Sequence, residues 1–180
     1  MMQVCSTAYV YHALLNTGDE IIDSILTNGL RPLSDFPESE RWQQINAHMP
    51  GFFENLYEMI AKPVLQKPYM NAGVFVSPID FHLLPDSIMH NKTRVKIPLS
   101  RIDPEFACLT YVINDERISL PLTPENMQKT AVLWTADRVN EWFAKDNSKI
   151  FFYVPQIAVY QEGGIPVQTK DIQFGETHVG

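Results

Sequence analysis

Tyr9-Val10-Tyr11-His12-Ala13-Leu14-Leu15-Asn16-Thr17-Gly18-Asp19-Glu20-Ile21-Ile22-Asp23-Ser24-Ile25-Leu26-Thr27-Asn28-Gly29-Leu30 is the most strongly patterned stretch of the 180-residue chain. Tyr9 to Leu15 reads as a strand, aromatic and β-branched at its start. Thr17, with Glu20 three residues on, gives a capping-box signal. Ile21, Ile22, Ile25 and Leu26 fall on one helical stripe. Asn28-Gly29 is a stop, with Gly29 suited to left-handed backbone, and Pro32 prevents continuation. A strand therefore turns into a helix with a histidine near the junction.

Downstream, Pro37 to His48 reads as a helix with Pro37 in its first turn. Pro50-Gly51 breaks it, and Phe52, Phe53, Leu56, Tyr57 and Ile60 carry a second helix to about Leu65. Together these form a helical insertion at 36–66. Strands are expected at Ala72–Pro78, Thr93–Leu99 and Ala107–Ile113. Asn114-Asp115 turns the last of these into a hairpin completed by Arg117–Leu120. Thr123 caps a helix with Pro124 at its first position. Val132, Ala136, Val139 and Phe143 form its buried stripe, with Trp134 and Trp142 at the edges. Lys149–Tyr153 and Pro155–Tyr160 are extended, Gly163-Gly164-Ile165-Pro166 turns, and a last extended piece lies near Asp171-Ile172. Clustered strands with segregated helices mean an α+β fold with a mixed or antiparallel sheet, in one domain spanning 1–180.

Apolar residues make up 45% of the chain and charged residues 19%. This is the composition of an ordinary globular protein. The net charge of −7 argues against an extended nucleic-acid surface, which needs clustered Lys and Arg. Cys5 and Cys108 form no Cys-x-x-Cys pair and read as reduced thiols. No run approaches the roughly 20 apolar residues that cross a bilayer, and the N-terminus lacks a basic segment before its apolar stretch. The expectation is a cytoplasmic protein with no membrane partner.

No Gly-x-Gly-x-x-Gly or Gly-x-x-x-x-Gly-Lys-Ser/Thr occurs, which removes Rossmann and P-loop readings. The five histidines show no His-x-x-x-His spacing, so no metal is expected. Ser77, in Val76-Ser77-Pro78, lacks the glycines of a nucleophile elbow. Cys5 and Cys108 lie in apolar strands without an activating neighbour.

Three separated patches share an order. They are Val10-Tyr11-His12 with its helix and Asn28-Gly29-Leu30-Arg31-Pro32; Gly73-Val74-Phe75-Val76-Ser77; and Pro155-Gln156-Ile157-Ala158-Val159-Tyr160 with Gly163-Gly164-Ile165-Pro166. They cover about 40 residues, and the set resembles the ADP-ribosyltransferase superfamily. That resemblance implies NAD as ligand and substrate, a small-molecule nucleotide as partner, and a protein acceptor where transfer operates. Tyr11 and His12 would hold ribose hydroxyls, Ser77 would brace the ribose, and Arg31 and Arg94 would neutralise pyrophosphate. Breaking the nicotinamide–ribose bond builds oxocarbenium-like charge, which a fixed carboxylate stabilises. The family's acid falls most naturally at Gln156, which carries no charge. Glu162 is the nearest carboxylate, with Asp171 and Glu176 as poorer candidates. With Gln156 in that place, binding is favoured over reaction.

Each of these residues has an ordinary structural explanation as well. His12 and Ser77 can simply end strands, Glu162 can be a solvated turn residue, and both arginines can be surface groups. Phe52, Phe53, Trp134 and Trp142 read as core. The competing functions are a non-catalytic interaction protein using the helical insertion or acidic surface, and a small hydrolase.

Overall fold

The computed structural model describes residues 3–14, 18–84, 92–145 and 153–175. Among them the chain forms seven strands and six α-helices. The strands are β1 (Tyr9–Ala13), β2 (Val74–Val76), β3 (Arg94–Pro98), β4 (Ala107–Ile113), β5 (Glu116–Pro121), β6 (Gln156–Val159) and β7 (Ile172–Gln173). The helices are α1 (Asp19–Asn28), α2 (Glu40–His48), α3 (Phe52–Ile60), α4 (Lys62–Leu65), α5 (Pro124–Leu133) and α6 (Ala136–Lys145). The class is α+β with two antiparallel sheets, ordered β1-β3-β7 and β2-β6-β4-β5.

Three apolar clusters hold these layers. Val10, Val76, Val95, Ile97, Leu109 and Ile157 are fully or almost fully buried between the sheets. Burying each such side chain contributes roughly 1.5–3 kcal/mol. Trp134, Val139, Tyr111 and Ile79 form a second cluster beneath α5 and α6. Tyr57, Ile60, Cys108, Ala158 and Tyr160 form a third, where α3 and α4 cover the other face of the four-stranded sheet. β4 contributes Leu109 to the first and Cys108 to the third, so both its faces are buried. A nearly continuous apolar strand is what such a position requires. Both cysteines are buried, and burial pushes each thiol up to about 12.

Several elements differ from the sequence expectation for local reasons. α1 starts on Gly18 as N-cap, and Thr17 lies outside the described residues. Ile22, Ile25 and Leu26 pack on the core, but Ile21 is exposed. Gly29 has positive φ (79°) with an extended ψ of −172°, which is not the left-handed helical region. α2 begins at Glu40 because the Ser39 hydroxyl accepts the Trp42 N–H (3.2 Å), leaving Pro37 outside it. The helix from Phe52 ends at Ile60, and α4 is a separate turn with Pro63 near its start, where a missing N–H costs nothing. The single helix expected after Thr123 is two. Thr123 does cap α5, accepting the Asn126 N–H (3.1 Å). The chain then breaks at Trp134, and the Thr135 hydroxyl caps the next helix through Arg138 N–H (3.3 Å). Val132, expected in the buried stripe, is exposed, while Trp134 at the break is fully buried, as a core reading requires. The strand expected at Lys149–Tyr153 falls outside the described residues except for Tyr153. Among the described residues, no helix is long and apolar enough to cross a membrane.

Candidate functional site

The two sheets meet along β1 and the end of β2. Among the described residues, one antiparallel bridge links their backbones, Tyr11 with Ser77, with N–H···O distances of 2.7 and 2.9 Å. Beyond it β1 follows its own sheet, and the Leu14 N–H turns to Thr93 O (2.8 Å). The gap is spanned by a side chain: His12 Nδ1–H donates to the Phe75 carbonyl at 3.1 Å. Burial pushes the imidazole below its usual pKa and outweighs the opposing pull of that carbonyl. The ring is therefore neutral at pH 7, and donation from Nδ1 leaves Nε2 as an acceptor. Nε2 has no protein partner among the described residues.

Ser77 is 4% exposed and ties two strands together. Its hydroxyl donates to Pro155 O (2.8 Å) and accepts the Ile79 N–H (3.1 Å). The register Val76↔Ile157 continued one residue sets Ser77 opposite Gln156. His12, Phe75, Ser77 and Gln156 are thus contiguous, although they come from three patches far apart in sequence. Tyr11 and Arg94 lie on the opposite face of β1 and β3. The Arg94 guanidinium lies 4.7 Å from the Tyr11 ring centre, pairs with Asp80, and donates from Nε to Gln173 Oε1 (2.8 Å). Arg94 thus holds β3, β7 and the Asp80 turn together.

Gln156 also lines an apolar slot of about 250 Å³ on the face covered by α3. Phe52, Phe53, Leu56 and Ile60 of α3 form one side. Phe75, Gln156, Thr110 and Arg117, on four adjacent strands, form the other. Trp42 stacks on Phe53 at 5.6 Å and fixes that wall. Thr110 Oγ1 donates to Ile118 O (2.8 Å) and accepts from Arg117 Nη1 (3.3 Å). No described residue lining the slot is an acid.

Glu162 and Arg31 lie elsewhere, on a cavity of about 470 Å³ that also includes Asp35, Asn71, Phe106 and Tyr160. Arg31 Nε is 2.8 Å from Asp35 Oδ2 in a half-exposed pair. Leu30 and Ile165 form a mutual backbone bridge at 2.9 Å, which fastens the first patch to the third. Asp171 is buried against Arg101, and Glu176 lies outside the described residues.

The expected residues therefore divide. His12, Ser77 and Gln156 lie near the sheet junction, Tyr11 and Arg94 stack on the opposite face of β1 and β3, and Arg31 and Glu162 share a second cavity. Sequence reading missed the slot walls. Phe52 and Phe53 follow Gly51 at a helix start, and half-buried aromatics there cannot be told from core by periodicity. Arg117 and Thr110 carried no motif. No protein family, curated protein or solved structure matches the chain.

Proposed function

We propose that this chain is an NAD-type nucleotide-binding protein with an ADP-ribosyltransferase-like arrangement, in which transfer is weak or absent. The observation that carries this is His12 at the parting of the sheets, neutral, with Nδ1–H on Phe75 O and Nε2 left to accept a hydroxyl. A ribose hydroxyl suits such an acceptor. Gln156, the residue set opposite Ser77 by the strand register, supports binding without reaction, since an amide cannot offset an oxocarbenium charge. Glu162 belongs to the other cavity. Arg31 lies there too, paired with Asp35.

Calorimetric titration with NAD tests the proposal. Saturable binding between roughly micromolar and millimolar is expected, with about a tenfold loss in His12→Ala for one hydrogen bond. The absence of heat or melting shift at several millimolar NAD would overturn it. A nicotinamide-release assay on the unmodified protein should stay near the uncatalysed background.

A further inference from the structure

We infer that the slot under α3 binds a small carboxylate with an apolar tail, its charge held by Arg117. The inference goes beyond the nucleotide reading and stands without it. The walls set the tail. Phe52, Phe53, Leu56 and Ile60 of α3 face Phe75 of β2, so the slot offers a ligand mostly carbon surface. Trp42 stacks on Phe53 with planes 12° apart and holds that wall in place. A tail laid there leaves water, the main favourable term in such association. A cavity of about 150 Å³ holds a benzene molecule, so about 250 Å³ takes one ring with a short linker and a head group.

The floor sets the head group. Arg117 is half-buried, and burial lowers its pKa because the cation has lost part of its hydration. A guanidinium stays charged in a protein all the same. No acid is among the described residues that line the slot. A partly dehydrated cation at the foot of apolar walls favours an anion, and the attraction grows where water is excluded. The Thr110 hydroxyl, donated to Ile118 O, accepts from Arg117 Nη1 (3.3 Å) and so fixes the guanidinium. That group carries five N–H donors in a planar fork, which serves several acceptors at once and matches the two oxygens of a carboxylate. What recruits the ligand is this charge in this setting. β4, which carries Thr110, lies between β5 with Arg117 and β6 with Gln156. The head group docks on the β5 side of Thr110, and Gln156 keeps its place on the other side, toward Ser77.

Calorimetry on the full chain with hydrocinnamate, its uncharged amide and acetate tests this. Hydrocinnamate binds saturably between roughly micromolar and millimolar. The amide keeps the tail and loses the charge, and it binds roughly ten- to a hundredfold more weakly. Acetate keeps the charge and loses the tail, and it binds weaker by about tenfold or more. Arg117→Gln loses the preference for the acid over the amide. Leu56→Trp fills the slot from α3 and abolishes binding. Melting temperature checks that each variant is folded. The absence of heat at several millimolar hydrocinnamate overturns the inference. So does an amide or acetate that binds as tightly as the acid, or a folded Arg117→Gln or Leu56→Trp with unchanged affinity for it. The acid–amide comparison uses the unmodified protein, so it decides even where a variant fails to fold. NAD binding without hydrocinnamate binding sinks this inference alone, and hydrocinnamate binding without NAD binding sinks the nucleotide reading alone.

Discussion

The His12 imidazole bridges a gap that backbone hydrogen bonds leave open, and its protonation state follows from that position. Burial acts first, lowering the pKa, and the Phe75 carbonyl pulls the other way without prevailing. A folded-state value below the ordinary imidazole pKa of about 6.5 means the neutral ring persists through pH 7. A cationic ring has no acceptor nitrogen to offer a ribose. NAD affinity should therefore be flat from pH 7 to 9 and fall only below about pH 6.5. The residual affinity of His12→Ala should show no such fall. Titrations across this range check it, and parallel pH profiles for the two proteins would remove His12 from the site. The histidine itself was legible, because a strand-end imidazole beside a capped helix invites attention. Its hydrogen bond was not, since Phe75 lies 63 residues away.

At the scale of elements, the bridge between the end of α1 and the Gly163-Gly164 turn depends on two side-chain-free positions. A Cβ on Gly164 would come within 2.2 Å of Leu30 O, and one on Gly29 within 2.4 Å of Ile165 O. Gly163 makes a control, having φ of +82° with nothing within 4 Å of an added Cβ. Gly163→Ala should cost only the conformational strain, about 1–2 kcal/mol. Gly164→Ala adds a backbone collision and should cost clearly more. Urea denaturation of the two variants measures the difference, and equal costs would mean the bridge yields freely. Asn28-Gly29 and Gly163-Gly164 were readable as turns from composition. Their being two sides of one contact was not, because turn signals say how a chain bends and not what it bends against. The same limit explains α5 and α6. Val132 fits a helical stripe on paper, but the break after Leu133 rotates the second helix out of phase.

For the whole molecule, the late chain is fastened by a buried ion pair. Arg101 pairs with Asp171, whose carboxylate also accepts the Gln168 N–H (2.7 Å). Burial alone would raise the Asp171 pKa, but Arg101 and Gln168 outweigh it and hold the carboxyl below its usual value. A depressed folded-state pKa gives stability that is present above the ordinary carboxylate pKa and lost as pH falls through the folded value. Asp171→Asn should therefore cost about 3–5 kcal/mol at pH 7. The gap from the unmodified protein should narrow below about pH 4. Urea midpoints at neutral and acid pH check this, and a gap unchanged by acid would show the pair to be unimportant. What the sequence alone determined was local: α1 and its stop, β4 with its Asn114-Asp115 hairpin, the Thr123 cap, and the α+β class. Such features depend on residues within a few positions of one another, where periodicity, capping and turn chemistry act directly. The tertiary structure alone decided that Ser77 would meet Pro155 across 78 residues. It also set Gln156 beside Ser77 and opposite α3, and sent Glu162 to another cavity. Those neighbours follow from strand register and helix docking, which depend on the packing of the whole core.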